Sequence, residues 1–141
     1  MNLEPAYLQD FARRYASAWC SQNAASEAAF FSPEGSLAIN GHPPSVGRKA
    51  ITEAAQEFMT AFPDMQVVLD NPVIHSDGAV FHWTLLGTNT GPKGTGHRVR
   101  ISGFEQWQFA ADGLIGRSLG NFDAADFRQQ IQHGSPLAAS S

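Results

Sequence analysis

From Arg98 to Phe109 the residues alternate in character. Val99, Ile101, Gly103, Glu105, Trp107 and Phe109 point one way, and Arg98, Arg100, Ser102, Phe104, Gln106 and Gln108 the other. A period of two sustained over this length is the pattern of a strand with one buried face. Ala111-Asp112-Gly113 then supplies a three-residue hairpin loop with glycine at the left-handed position. The chain returns from Leu114 to Asp123. Pairing Ala110 with Leu114 sets Trp107 opposite Arg117, Glu105 opposite Leu119 and Ile101 opposite Asp123, and cross-strand partners share a face. On that register a largely apolar face also carries Glu105, Arg117, Asn121 and Asp123. Buried charge is costly unless it is paired or used. One reading is a structural ion pair, Arg117 lying diagonal to Glu105 and over the Trp107 ring. The other is a cavity floored by this face, with carboxylates tuned for proton transfer.

The rest of the chain supplies what could roof such a floor. Pro5 to Cys20 reads as a helix whose stripe is Leu8, Phe11, Ala12, Tyr15 and Trp19. A Tyr15 hydroxyl in the middle of that face needs a core partner or a ligand. Asn23 to Phe31 reads as a short helix with Ala28, Phe30 and Phe31 inward, Ser32 to Gly35 as a turn, and Ser36 to Asn40 as a short strand. A helix from about Lys49 to Phe62 presents Ile51, Ala54, Ala55, Phe58 and Phe62 on one face and stops at Pro63. Met65 to His75 and Ala79 to Asn89 read as strands joined at Ser76-Asp77-Gly78. His82 lies on the second of these, whose inward face the pattern leaves open. Thr90 to Gly96, with three glycines and a proline, reads as a flexible loop, either a lid or a plain connection. Asp123 to Gln132 closes the chain as a helix, and Asp123 is either its N-cap or a base. Helices first and a sequential sheet after is an α+β layout: one domain over 1–134, with a disordered tail over 135–141.

Composition narrows the function. At 141 residues with 43% hydrophobic content the chain can bury a substantial core. A net charge of −4 argues against nucleic acid. The start, M-N-L-E-P-A-Y, lacks the basic and apolar regions of a signal peptide, and no apolar run reaches membrane-span length. The lone Cys20 fits a reducing compartment, so the expectation is a cytoplasmic protein. The five histidines, at 42, 75, 82, 97 and 133, show no i, i+4 pair and no cysteine company, so no metal site is expected. Neither a phosphate-binding loop nor a nucleophile elbow occurs. What remains is cofactor-free acid–base chemistry or ligand binding without chemistry.

Several segments in order resemble the nuclear transport factor 2-like superfamily, and within it the SnoaL-like polyketide cyclases. They are R-Y-A-S-A-W-C-S-Q-N on the first helix, V-G-R-K-A-I, F-P-D-M, W-T-L-L-G-T-N-T-G, T-G-H-R-V, D-G-L-I-G-R and N-F-D-A-A-D-F-R-Q-Q-I. The likeness runs from about Leu8 to Gln132. It implies a cone-shaped α+β fold, a curved antiparallel sheet packed against N-terminal helices around a pocket. It also implies a homodimer through the outer sheet face, here Arg98, Arg100, Phe104, Gln106 and Gln108. Asp123 falls where the cyclases carry their acid/base for an intramolecular aldol closure, and Asn121 falls two positions earlier. Asn89 stands where the family has His, and Leu119 where Trp is common. Ketosteroid isomerases share the fold. Tyr15 looks like their oxyanion-hole Tyr, and Glu105 falls near their protonated Asp. Their base would lie near Ile39 or Asn40, where no carboxylate stands.

The expectation is a cofactor-independent acid–base enzyme, an aldol cyclase or isomerase acting on a small apolar carbonyl compound such as a polyketide intermediate. Asp123, Glu105 and Tyr15 would be catalytic, and Trp19, Phe58, His82, Trp107, Arg117 and Asn121 would bind substrate. The alternative is a non-catalytic ligand-binding or dimerisation module on the same fold. A third option, an epoxide hydrolase or dehydratase, needs an Asp–Arg or Asp–His arrangement that Arg117 or His82 would complete.

Overall fold

The computed structural model describes residues 4–70, 72–74 and 78–134. The first three residues, the Ser76-Asp77 part of the expected turn, His75 and the expected tail at 135–141 lie outside them. Helix α1, Pro5–Cys20, starts with proline in its first turn and buries Leu8, Phe11, Ala12 and Tyr15. This is the expected stripe. Helix α2, Ala24–Ala28, is capped by Asn23, whose side chain accepts the Ser26 N–H at 3.2 Å. Strand β1, Phe31–Ile39, and the short β2, Ser45–Val46, precede helix α3, Arg48–Ala61. The Ser32 to Gly35 segment, expected as a turn, lies within β1 as a break in register between Phe31 and Ser36.

The expected 65–75 strand is two pieces, β3 (Gln66–Leu69) and β4 (Val73–Ile74), both pairing antiparallel with β5 (Gly78–Thr88). Strands β6 (Arg98–Phe109) and β7 (Ile115–Phe122) and helix α4 (Ala124–His133) complete the chain. The sheet order is β2-β1-β7-β6-β5-β3. Neighbours run antiparallel except β1 and β7, which run parallel. Helices α1 and α3 lie over one face of this curved sheet. The result is the α+β architecture expected, with the core between helices and sheet.

The β6–β7 hairpin decides which side chains enter that core. Its loop is as expected: the Ala110 N–H donates to the Leu114 carbonyl at 2.8 Å, and Gly113 has φ +80°. Phe109 pairs with Ile115, but Gln108 pairs with Arg117, so Gly116 is an extra residue, a β-bulge. Beyond it the parity of β7 is reversed. Trp107 faces Ser118, Glu105 faces Gly120 and Gly103 faces Phe122. A slip of one residue sends every later side chain to the other face. The expected inward set of Arg117, Leu119, Asn121 and Asp123 is therefore corrected to Ser118, Gly120 and Phe122.

The glycine-rich segment after β5 is stitched down. The buried Asn89 side chain donates to the Ala61 carbonyl at 3.2 Å and accepts the Thr95 N–H at 2.9 Å. The Gly91 N–H reaches the same Ala61 carbonyl, and Thr95 Oγ1 donates to the Ile131 carbonyl of α4. This is a connection pinned to the ends of two helices, and none of its residues lines the cavity described next.

Candidate functional site

Between the concave face and the helices lies a partly open cavity of about 60 Å³. The core is thus not filled solid by its own side chains. Six aromatic rings line it: Trp19 from α1, Phe58 from α3, Phe81 and Trp83 from β5, Phe122 from β7 and Phe127 from α4. Phe127 reaches it because α4 folds back across the sheet's end, its ring 6.3 Å from Phe58 and 5.4 Å from Phe122. Aliphatic side chains and Gly120 make up most of the rest. Among the described residues Glu105 is the one ionisable group in the lining.

Every hydrogen bond to Glu105 arrives at one oxygen. Oε1 accepts the Ser118 hydroxyl at 2.6 Å, the Tyr15 hydroxyl at 3.0 Å and the Trp107 indole N–H at 3.4 Å. The second oxygen remains for whatever enters the cavity. Behind Glu105, the Tyr15 hydroxyl is also 2.9 Å from Oε1 of Glu27 on α2. Glu27 is fully buried, and its Oε2 has no hydrogen-bond partner among the described residues. Burial pushes both glutamates toward their neutral forms. For Glu27 the shift is large, and the nearby Glu105 charge adds to it. For Glu105 the donors Ser118, Tyr15 and Trp107 oppose the shift. Tyr15 is pushed well above the usual phenol range by burial and then by the two carboxylates, so it stays a hydroxyl. Around this line Trp107 stacks on Phe81 with ring centres 5.0 Å apart and meets Tyr15 edge-on at 5.2 Å, which fixes the indole.

A curved sheet, helices over its concave face and a single carboxyl in an aromatic hollow between them are now in place. The sequence model of the SnoaL-like domain matches residues 12–118. The chain belongs to the SnoaL-like domain family. No curated protein matches it in sequence. Among solved structures it is similar to TsrD from Streptomyces laurentii, with TM-score 0.78 and 19% identity over 92% of this chain and 98% of that one. It is also similar to a protein described as a SnoaL-like polyketide cyclase from Jannaschia sp. CCS1, with TM-score 0.73 and 14% identity over 96% and 99%. A third is a protein of ketosteroid isomerase-like fold from Catenulispora acidiphila DSM 44928, in complex with trimethylamine, with TM-score 0.76 and 12% identity over 87% and 92%. These likenesses establish the nuclear transport factor 2-like fold.

In this SnoaL-like domain the structure brings together only part of the residue set read from sequence. Glu105, Trp19 and Phe58 line the cavity. Tyr15 and Trp107 stand behind Glu105, buried and bonded to it, and do not line the cavity. Arg117, Asn121 and His82 lie on the outer face. Arg117 pairs with Gln108, Asn121 with Phe104, and the His82 ring lies 5.9 Å from the Phe104 ring. The Arg117–Glu105 ion pair, one of the two readings of this face, is not formed, because the Gly116 bulge puts the two side chains on opposite faces. Among the described residues no Asp, Arg or His lines the cavity, so the wall that the third option requires is not formed there: the bulge turns Arg117 outward, and His82 falls on the outward parity of β5. Asp123 is exposed and accepts the Asp126 N–H at 3.0 Å as the N-cap of α4, outside the lining.

Two residues bonded around Tyr15 and Glu105 escaped the sequence reading. Ser118 was hidden by the bulge, whose signal was Gly116, a glycine inside an otherwise strand-like run. Glu27 was hidden by its charge, yet Ala24, Glu27 and Ala28 fall at helical spacing on the buried face of α2.

Proposed function

We propose that this SnoaL-like domain is a cofactor-independent acid–base enzyme acting on a small apolar carbonyl compound, with Glu105 as the group that exchanges the proton. The observation that carries the reading is a single carboxyl, fixed through one oxygen, in an otherwise apolar aromatic cavity. As carboxylate, the second oxygen of Glu105 takes a proton from the carbon next to the carbonyl, leaving an enolate. The same carboxyl then returns it, to another carbon in an isomerisation, or to the oxygen that becomes the alcohol in an aldol ring closure. The proton balance closes on one residue, so neither reaction requires a second acid. Apolar surroundings match the substrate's body and strengthen the interaction at the one polar point. The relative described as a polyketide cyclase is consistent with this chemistry.

One feature favours the alternative, a ligand-binding module: the Tyr15 hydroxyl is withdrawn behind Glu105 and cannot donate to an enolate oxygen in the cavity. The two readings separate in one experiment. A panel of aromatic ketones such as α-tetralone is incubated with the protein in deuterated water, and deuterium at the carbon beside the carbonyl is followed by mass spectrometry. Wild-type protein accelerates exchange, Glu105→Gln reduces it by at least about 100-fold, and Asp123→Asn retains it. Binding without exchange selects the alternative, and exchange that survives Glu105→Gln defeats the proposal.

A further inference from the structure

Two carboxyls share one phenol in this core, and the proton count does not close if both are charged. Tyr15 has a single hydroxyl hydrogen, yet its oxygen is 2.9 Å from Glu27 Oε1 and 3.0 Å from Glu105 Oε1. With both glutamates ionised, one of those contacts would set two oxygen lone pairs against each other within a dry interior. One glutamate must hold a proton. The surroundings differ enough to say which. Glu105 Oε1 receives three donors, which is how a buried carboxylate is stabilised, whereas among the described residues Glu27 has no hydrogen-bond partner but Tyr15 and leaves Oε2 bare. A bare carbonyl oxygen is far less costly in the core than a bare carboxylate oxygen.

We propose that Glu27 is a positioning residue, a neutral carboxylic acid that donates through Oε1 to Tyr15 and so commits the one phenolic hydrogen to Glu105. The chain of bonds then runs one way, from Glu27 to Tyr15 to Glu105, and the negative charge sits at the end that meets the cavity. Chains of hydrogen bonds polarise one another, so the Glu27 proton strengthens the bond that Tyr15 gives. The titratable groups facing Glu27 are Tyr15 of α1 and Glu105 of β6. Helix α3, also packed on α2, buries Ile51, Ala55 and Met59 and no charged side chain. The inference deepens the acid–base reading of Glu105 and rests on that reading for its significance, but its test requires no substrate.

The test is a pH titration of the glutamate carboxyl carbons by carbon-13 NMR in the whole chain, for wild type, Glu27→Gln and Glu27→Leu. Glutamine can donate from its amide where the acid donated, so it keeps the direction of the chain. Leucine fills the space without a donor. The expected result has three parts: the Glu27 carbon stays at its protonated position through neutral pH while Glu105 ionises, Glu27→Gln leaves the Glu105 midpoint in place, and Glu27→Leu moves it upward. If Glu105 instead keeps the proton while Glu27 ionises, removing that charge in Glu27→Gln lowers the Glu105 midpoint sharply, and the assignment is overturned. Equal midpoints in all three proteins also overturn it, since Glu27 would then be only filler. Should Glu27→Leu not fold, the wild-type and Glu27→Gln titrations still decide the assignment. Failure of ketone exchange with the expected titrations intact would sink the enzyme reading and leave the relay standing.

Discussion

Ser118 Oγ lies 2.6 Å from Glu105 Oε1, a contact made on the diagonal, because across the β6–β7 pair Ser118 faces Trp107 and Glu105 faces Gly120. The hydroxyl is fully buried and gives the shortest bond that Glu105 receives. Hydrogen bonds to a charged group contribute about 1.5–3 kcal/mol. Ser118→Ala should therefore lower stability by that order at neutral pH. It removes a group that favours the carboxylate, so the Glu105 midpoint should rise. Urea unfolding at about pH 7 and about pH 4 checks both statements. The loss must shrink at the acid pH, where Glu105 is protonated and the bond is between neutral groups. An equal loss at both pH values would mean that Glu105 is not ionised in the folded protein.

The two glutamates also set the direction of the stability profile. Both hold their protons more tightly folded than unfolded, burial being the leading cause. An unfolded glutamate releases its proton near 4.5. Above that value the unfolded state sheds protons that the folded state retains, so stability is complete below it and falls as pH climbs through the folded values. Asp112 acts in the opposite sense. The Ser32 hydroxyl, then the Leu114 amide, hold it below the usual carboxylate range, so its contribution is present above 3.8 and disappears in acid. The melting temperature should decline between about pH 5 and about pH 8, and Glu27→Gln should flatten that decline. Parallel profiles for the two proteins would remove Glu27 from this account.

The limits of the sequence reading follow from the same residues. The alternation of Arg98 to Phe109 fixed which side chains of β6 face inward, and Glu105 was legible from it. Helix α1 showed its stripe because nothing interrupts the 3.6-residue period from Leu8 to Trp19. One inserted residue, Gly116, then turned β7 over, and a register argument that begins at the loop carries no information past a bulge. Arg117 and Asn121 were misplaced for that reason. Asp123 presented a different difficulty. Asp at the end of a strand and the start of a helix is what a cap requires, and local sequence does not separate a cap from a base. Glu27 was invisible because a charged residue on a five-residue helix is ordinarily solvated. Only the meeting of α1, α2 and β6 in space gives it partners.

Gly120 offers the sharpest way to ask whether the hollow is used. It lies in the cavity wall opposite Glu105, and a side chain there would meet Glu105 Cγ at 3.7 Å, the Ala38 carbonyl at 3.7 Å and Ile39 Cγ1 at 3.8 Å, all ordinary contacts. Gly103, on β6 facing Phe122, is different. A Cβ there would fall 2.3 Å from the Asn121 carbonyl and 2.6 Å from the Trp83 ring, so substitution should cost about 1–3 kcal/mol through overpacking. Gly120→Val instead puts its Cβ in ordinary contact distance on the cavity wall, and a β-branched residue suits a strand better than glycine by up to about 1 kcal/mol. The expected outcome is a melting temperature equal to or above that of the wild type, with affinity for an aromatic ketone reduced by at least about 10-fold, since the added bulk occupies the volume beside the one polar group. Calorimetric titration with α-tetralone and a thermal melt measure the two quantities on the same sample. Unchanged affinity in a stable Gly120→Val protein would place the ligand elsewhere and separate Glu105 from any chemistry in this cavity.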